Sequence, residues 1–312
     1  MASQIYAFEG DRLRPIDAPA ARPLRWAAWR DDRCLLVGNG GTALWYGPSG
    51  RFEPIDTGTK QNLRGAAFSP DGSHALLVGN RGLVLHYDGL SMRTLAAPTN
   101  ENLRRAAFAP DGSCALIVGN SGTVLHYEGP STALRTGSAL TPVPGDRAHT
   151  LRTIAWRPDS AYALVRAYAS RHAGYPRPHA LYKCDGLYLQ ALLTSDDEDD
   201  FVAIDWHPSG ARALIAGYAY GDKIANKLLT YDGSGFTSRA VEASGALLGA
   251  AWHPSGEYAL LCGENGALLR YDGDRVEQIA SGTNDNLVGP FWHPSGASAL
   301  FLRGPSERVY TV

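Results

Sequence analysis

Apolar residues along the chain come in short clusters, each closed by a Gly- or Pro-containing turn, the pattern of many short strands. One cluster repeats. LRWAAWRDDRCLLVGNGGTALWYG recurs as LRGAAFSPDGSHALLVGNRGLVLHYDG and as LRRAAFAPDGSCALIVGNSGTVLHYEG, and four weaker copies follow. The aromatic that ends the first segment is Trp29, Phe68, Phe108, Trp156, Trp206, Trp252 and Trp292, at intervals of 39 to 50 residues. Seven units tile the whole chain.

Each unit reads as four short strands. Strand a is the L-x-x-A-A-W/F segment, apolar on both faces as in a strand packed between neighbours. A P-D-G or P-S-G turn leads to strand b (A-L-L-V), and G-N-x-G makes a tight hairpin to strand c. Strand c ends at Tyr46, Tyr87, Tyr127, Tyr231 or Tyr271, and an outer strand d follows. Units of 40–50 residues with four strands each predict an all-β, seven-bladed β-propeller. The expected blades are 24–58, 63–98, 103–138, 151–195, 201–243, 247–282, and 287–312 together with 4–20, in one domain over 1–312. In the last blade Leu287–Trp292 supplies strand a and Ser298–Arg303 strand b. Ile5–Asp17 aligns with strands c and d, and Arg308–Val312 also offers a strand c, so the closing blade is expected to join the two chain ends and leave no open sheet edge. The anchoring aromatics are expected between blades.

The F-S-P-D-G and W-H-P-S-G turns resemble those of WD-repeat and YVTN-type propellers, and V-G-N-x-G-x-x-L-H-Y-D-G resembles bacterial propeller repeats. The resemblance spans the chain and implies the fold. The Trp-Asp dipeptide after strand c and the Gly-His before strand a are absent, so the hydrogen-bonded tetrad of WD repeats is not implied.

Charge then narrows the function. With 29 Lys+Arg against 31 Asp+Glu and a net charge of −2, the chain lacks the basic excess of a general nucleic-acid or acidic-membrane binder. No run approaches 18 apolar residues, and the first residues carry no secretory pattern. The four cysteines are scattered without a C-x-x-C pair, which reads as buried small hydrophobes in a reducing cytoplasm.

Candidate chemistry gathers where strand a begins, the face called the top in related propellers. The residue after the first Leu is Arg25, Arg64, Arg104 and Arg152 in four consecutive units, against Val202, Leu248 and Val288 in the others. Such a half-ring suits bidentate capture of carboxylate or phosphate; the competing reading is local pairing that holds neighbouring blades together. Units four and five replace the short hairpin with Arg166–Ala180 and Ala216–Lys227, read as two neighbouring long loops. They carry Arg166, Tyr168, His172, Tyr175, Arg177, Tyr218 and Tyr220, residue types of interface anchors. Beside them runs the acidic stretch Thr194–Asp200, read as a loop ending in Asp199 and Asp200. It lacks the spacing of a calcium loop.

The remaining signals are weaker. His86 and His126 share a strand-c position that Trp45 and Arg270 also fill, which favours packing over metal binding. Asp205 is the one carboxylate within a strand a, either a structural anchor or a general base. Asn62, Asn102 and Asn286 read as side-chain staples of their turns. No catalytic triad, P-loop or metalloprotease motif occurs, so no catalytic residue, metal or cofactor is assigned. The expected function is a non-catalytic scaffold that presents its top face to a protein or peptide. The alternative is a hydrolase, lyase or small-molecule binder acting on an anionic or sugar-like ligand at the channel mouth.

Overall fold

The computed structural model describes residues 3–129, 140–145, 149–169, 180–194, 199–219 and 224–304, with backbone alone at 168, 169, 180 and 199. The chain opens with β1 (Ser3–Glu9) and β2 (Arg12–Ala18). Blade 1 is β3 (Leu24–Arg30), β4 (Arg33–Gly38), β5 (Ala43–Tyr46) and β6 (Phe52–Pro54). Blade 2 is β7 (Leu63–Phe68), β8 (Ala75–Gly79), β9 (Val84–Tyr87) and β10 (Met92–Leu95). Blade 3 is β11 (Leu103–Phe108), β12 (Ala115–Gly119), β13 (Val124–Tyr127) and β14 (Leu140–Pro142). Blade 4 is β15 (His149–Trp156), β16 (Ala163–Ala169), β17 (Ala180–Cys184) and β18 (Leu189–Thr194). Blade 5 is β19 (Asp199–Trp206), β20 (Ala213–Ala219), β21 (Ala225–Tyr231) and β22 (Phe236–Val241). Blade 6 is β23 (Leu247–Trp252), β24 (Ala259–Gly263), β25 (Leu268–Tyr271) and β26 (Val276–Gln278). Blade 7 begins with β27 (Leu287–Trp292) and β28 (Ala299–Arg303).

Every sheet has four antiparallel strands in the order a-b-c-d, the arrangement of a seven-bladed β-propeller. Blade 7 draws on both chain ends, in the order β27-β28-β1-β2. The register Ile5↔Leu302 to Phe8↔Ala299 gives the c place to the N-terminal strand. Ile5, Tyr6, Ala7 and Phe8 are all buried, as a strand covered on both faces requires. Arg308–Val312, the other candidate, lies outside the described residues.

Contacts gather blades 1–4 into one compact unit and blades 5–7 into another. Within the first, the a strands β3, β7, β11 and β15 pack in succession, and within the second β19, β23 and β27 do. The b strands form the driest layer: Leu35–Val37, Leu76–Val78 and Leu116–Val118 exclude water completely. Phe68, Phe108, Trp156, Trp252 and Trp292 sit between blades as expected. Phe68 stacks on Trp45 of blade 1 at 5.7 Å, and Trp292 meets His253 of blade 6 edge-on at 4.8 Å. Trp156 Nε1 also donates to Ala107 O of blade 3 (3.1 Å).

The hairpin from b to c explains its own sequence. In G-N-x-G of blade 2, Arg81 and Gly82 both have positive φ (55° and 69°), and a Cβ on Gly82 would lie 2.0 Å from Thr99 O. Only glycine fits that approach. Blades 4 and 5 depart from the expected loop lengths. Their b and c strands run further, so that Ala216–Lys227 is mostly strand and its ladder reaches Ala219↔Ala225. The a strands lengthen with them, from His149↔Ala169 and from Asp199↔Ala219. Arg166 and Tyr218 therefore lie in strands and are buried, and Asp199 and Asp200 begin β19 instead of ending a loop. All four cysteines are free thiols, three of them buried. No helix among the described residues is long and apolar enough to cross a membrane.

Candidate functional site

A one-residue β-bulge marks the start of strand a in blades 1–6, and in blades 1–4 an arginine occupies it. In blade 1 Leu24 pairs with Gly38 and Trp26 with Val37, which leaves Arg25 as the extra residue; Arg64, Arg104 and Arg152 hold the same place. A bulge bends the strand and re-aims the unpaired side chain. Here it aims the side chain at the hairpin of its own blade. Arg25 Nε donates to Asn39 Oδ1 (3.0 Å), Arg64 Nε to Asn80 Oδ1 (2.9 Å) and Arg104 Nε to Asn120 Oδ1 (2.8 Å). These asparagines are the N of G-N-x-G. The local partner of these three is thus a side-chain amide within the same blade and not a group of the neighbouring blade. Each bond fixes the plane of the guanidinium through Nε and leaves the two Nη groups, the fork that grips an oxyanion, unengaged by any described residue.

Arg105, which the repeat did not single out, completes the cluster. Its guanidinium lies 3.8 Å from the centre of the Trp26 ring, and its Nη1 donates to the carbonyls of Arg64 and Arg104. Trp26 Nε1 is itself tied to Ala66 O (3.0 Å). Gly65 makes the space, because a Cβ there would sit 3.0 Å from Arg104 O.

The electrostatics are one-sided. Burial lowers the pKa of Arg25, and burial followed by the charge of Arg25 lowers that of Arg64. Burial, then Arg152 and Arg64, bring Arg104 down to about 10. Burial, then Arg104, Arg152, Arg64 and Arg166, bring Arg105 down to about 9. All remain cationic at neutral pH. Among the described residues the charges that act on Arg64, Arg104 and Arg105 are all positive, and no carboxylate offsets them. Positive charge held partly out of water without an internal counter-charge attracts anions.

The structure brings Arg25, Arg64, Arg104, Arg152 and Arg166 into this one cluster in blades 1–4. Tyr168 lies in β16. In blade 5, Tyr218 Oη donates to Asp200 Oδ2 (3.2 Å), a buried cross-strand pair. His172, Tyr175, Arg177 and Tyr220 lie outside the described residues, as does the middle of the acidic stretch.

The weaker candidates resolve into packing. Asp205 Oδ2 accepts from Trp252 N (2.7 Å), which ties blade 5 to blade 6. Burial pushes its carboxyl up to about 7, against the pull of the Trp252 and Trp206 amides. His86 stacks on His74 with ring centroids 5.1 Å apart and planes 22° from parallel, so their in-plane lone pairs do not converge on one cation. His126 instead packs against Gly186 of blade 4. No group of three His, Cys, Asp or Glu suited to a metal occurs among the described residues. Asn62, Asn102 and Asn286 accept from the amides of Gly40, Arg81 and Asn265, so they staple one blade's entry loop to the hairpin of the blade before. Asn226, unremarked in the sequence, links blade 5 to Gly245 O and Leu247 N.

No protein-family model matches the chain, and no curated protein matches it. Solved structures with the same fold are numerous. One, described as YCF48 bound to D1 peptide, superposes with a TM-score of 0.67 at 13% identity, over 98% of this chain and 96% of that one. At that identity the likeness establishes the fold this chain shares with it, a β-propeller.

Proposed function

We propose that this protein is a binding scaffold that presents the hairpin end of blades 1–4 to a protein or peptide partner bearing carboxylates. The observation that carries the reading is the row Arg25, Arg64 and Arg104, each guanidinium oriented by an asparagine and none offset by an acid among the described residues. A propeller of similar fold has been solved with a bound peptide, which is consistent with such a role. The b–c connections of blades 4 and 5, with His172, Tyr175, Arg177 and Tyr220, are proposed as a second binding region of the scaffold. The partner is expected to be neither nucleic acid nor membrane, given the net charge of −2.

The test is quantitative affinity capture from the native host with the wild-type chain and with Arg64→Gln/Arg104→Gln. Partners retained by the wild type and lost by the variant, with capture weakening as salt rises, are the expected outcome. Identical partner sets for both proteins overturn the assignment. Replacing 170–177 by a four-residue turn asks the same of the second region.

A further inference from the structure

The hairpin asparagines carry a second message. Blade 6 makes the same turn as blade 2: Gly263 N donates to Ala267 O (3.0 Å) as Gly79 N does to Leu83 O (2.9 Å), and Asn265 and Gly266 have positive φ like Arg81 and Gly82. Yet the residue after the first glycine in blade 6 is Glu264, whose carboxylate accepts from Ala246 N (3.3 Å), and the bulge residue of that blade is Leu248. The turn does not need asparagine. Asparagine stands there in the three blades where a bulge arginine bonds to it.

We infer that Asn39, Asn80 and Asn120 are positioning residues, and that the three Asn–Arg pairs form equivalent carboxylate sites, one per blade, that together take an acidic peptide segment. This deepens the proposed function and rests on it. Each site offers a planar fork with its Nε already spent, so the remaining donors point one way and lose little freedom on binding. Three such forks favour a ligand with several carboxylates close in sequence over one with a single terminal carboxylate, because each further pair forms without a new association cost. Single-stranded nucleic acid also carries regular charge, but its sequence-tolerant binding uses open aromatic faces for base stacking. In this cluster Trp26 is already covered by Arg105.

The inference is tested by fluorescence anisotropy with a labelled octaglutamate peptide, using octaglutamine, tripolyphosphate and a short single-stranded oligonucleotide as comparison probes. Octaglutamate is expected to bind and octaglutamine not, with affinity falling steeply as salt rises. Arg64→Gln/Arg104→Gln is expected to weaken binding about a hundredfold, tenfold for each charge-assisted pair. Asn80→Ala/Asn120→Ala is expected to weaken it several-fold with every charge still present, and with an unchanged melting curve to show that the hairpins survive. Rescue by Asn80→Asp is not expected, since the added negative charge fills the site. Asparagine variants that bind as the wild type does overturn the positioning role. An oligonucleotide or tripolyphosphate that binds more tightly than octaglutamate overturns the peptide assignment. If octaglutamate fails while partner capture still depends on Arg64 and Arg104, the inference falls and the proposed function stands.

Discussion

Blades 2 and 3 on one side, and blades 5 to 7 on the other, build one backbone with two sets of side chains. At the bulge the first group carries Arg64 and Arg104, while blades 5 and 6 carry Val202 and Leu248; in blade 7 Val288 pairs with Leu302 and the irregularity falls at Gly289–Pro290. At the turn between strands a and b the first group uses aspartate: Asp71 accepts from Ser73 N (3.0 Å) and Asp111 from the Ser113 amide (3.0 Å). The second uses histidine. Ser209 N donates to His207 Nδ1 (3.1 Å), which leaves the proton on Nε2 to bond Gly256 O of the next blade (3.0 Å); His253 repeats the device with Ser255 and Gly296. Asp and His are thus two solutions to the same turn, and the His version adds a tie between blades. The bulge residue is different. Leucine and valine show that the fold is content with an apolar side chain there, so the arginines need a reason beyond the fold. That contrast is the basis for reading them as a binding site.

The largest effect is expected where both chain ends meet. Removing residues 1–20 strips β1 and β2 from blade 7 and bares the backbone edge of β28, so the product should aggregate or fail to melt cooperatively. A soluble truncation with the melting curve of the full chain breaks the closure. Next come the aromatic anchors. Trp252→Ala leaves a cavity among Leu247, Ala259 and Tyr271 and should cost about 3–5 kcal/mol by chemical denaturation. His253→Ala removes the tie to Gly296, the bonds to Ser255 and the ring contacts with Tyr258 and Trp292, at about 1–2 kcal/mol. If His253→Ala costs as much as Trp252→Ala, the histidine turn is core and not a tie.

Acidity should separate the regions as well. His74 and His86 in blade 2 are held below their ordinary value mainly by burial. The unfolded chain therefore takes up protons first, and their contribution to stability is full above about pH 6.5 and lost as pH falls through it. Asp205 in blade 5 works in the opposite sense. Its raised carboxyl keeps a proton that the unfolded chain has released, so stability is lost as pH rises from about 4 towards 7. Asp205→Asn should melt roughly 2–4 °C higher than the wild type at pH 8, the response to about 1 kcal/mol, with no gain at pH 4. A variant with no advantage at pH 8 means the carboxylate is better solvated than its surroundings suggest.

Much of this architecture was legible because the repeat aligns like with like. The strand-a aromatics, the shared closing blade and the column Arg25, Arg64, Arg104 and Arg152 all fall out of one register. Arg105 did not, because its column holds Trp26, Gly65 and Thr153, and its role depends on a neighbour's missing side chain at Gly65. The Asn–Arg bonds were also hidden: they close over 14 to 16 residues through a bulge that no spacing announces. The signal was nonetheless present, since asparagine follows the first hairpin glycine in the three blades that pair it with arginine. In blade 5 the Tyr-rich alternation A-G-Y-A-Y continues the strand pattern, so the ladder runs on to Ala219↔Ala225 where the spacing predicts a loop from Ala216; the corresponding residues 170–179 of blade 4 lie outside the described residues.

The measurement closest to the central claim is the thermal stability of Arg25→Gln/Arg64→Gln/Arg104→Gln against the wild type at low salt. Each side chain keeps a donor for its asparagine while three mutually repelling charges disappear. A melting temperature equal to or above the wild type, with the difference shrinking as salt is added, is the predicted result. A drop comparable to that of Trp252→Ala would show that the arginines hold the blades together and contradict their reading as a site.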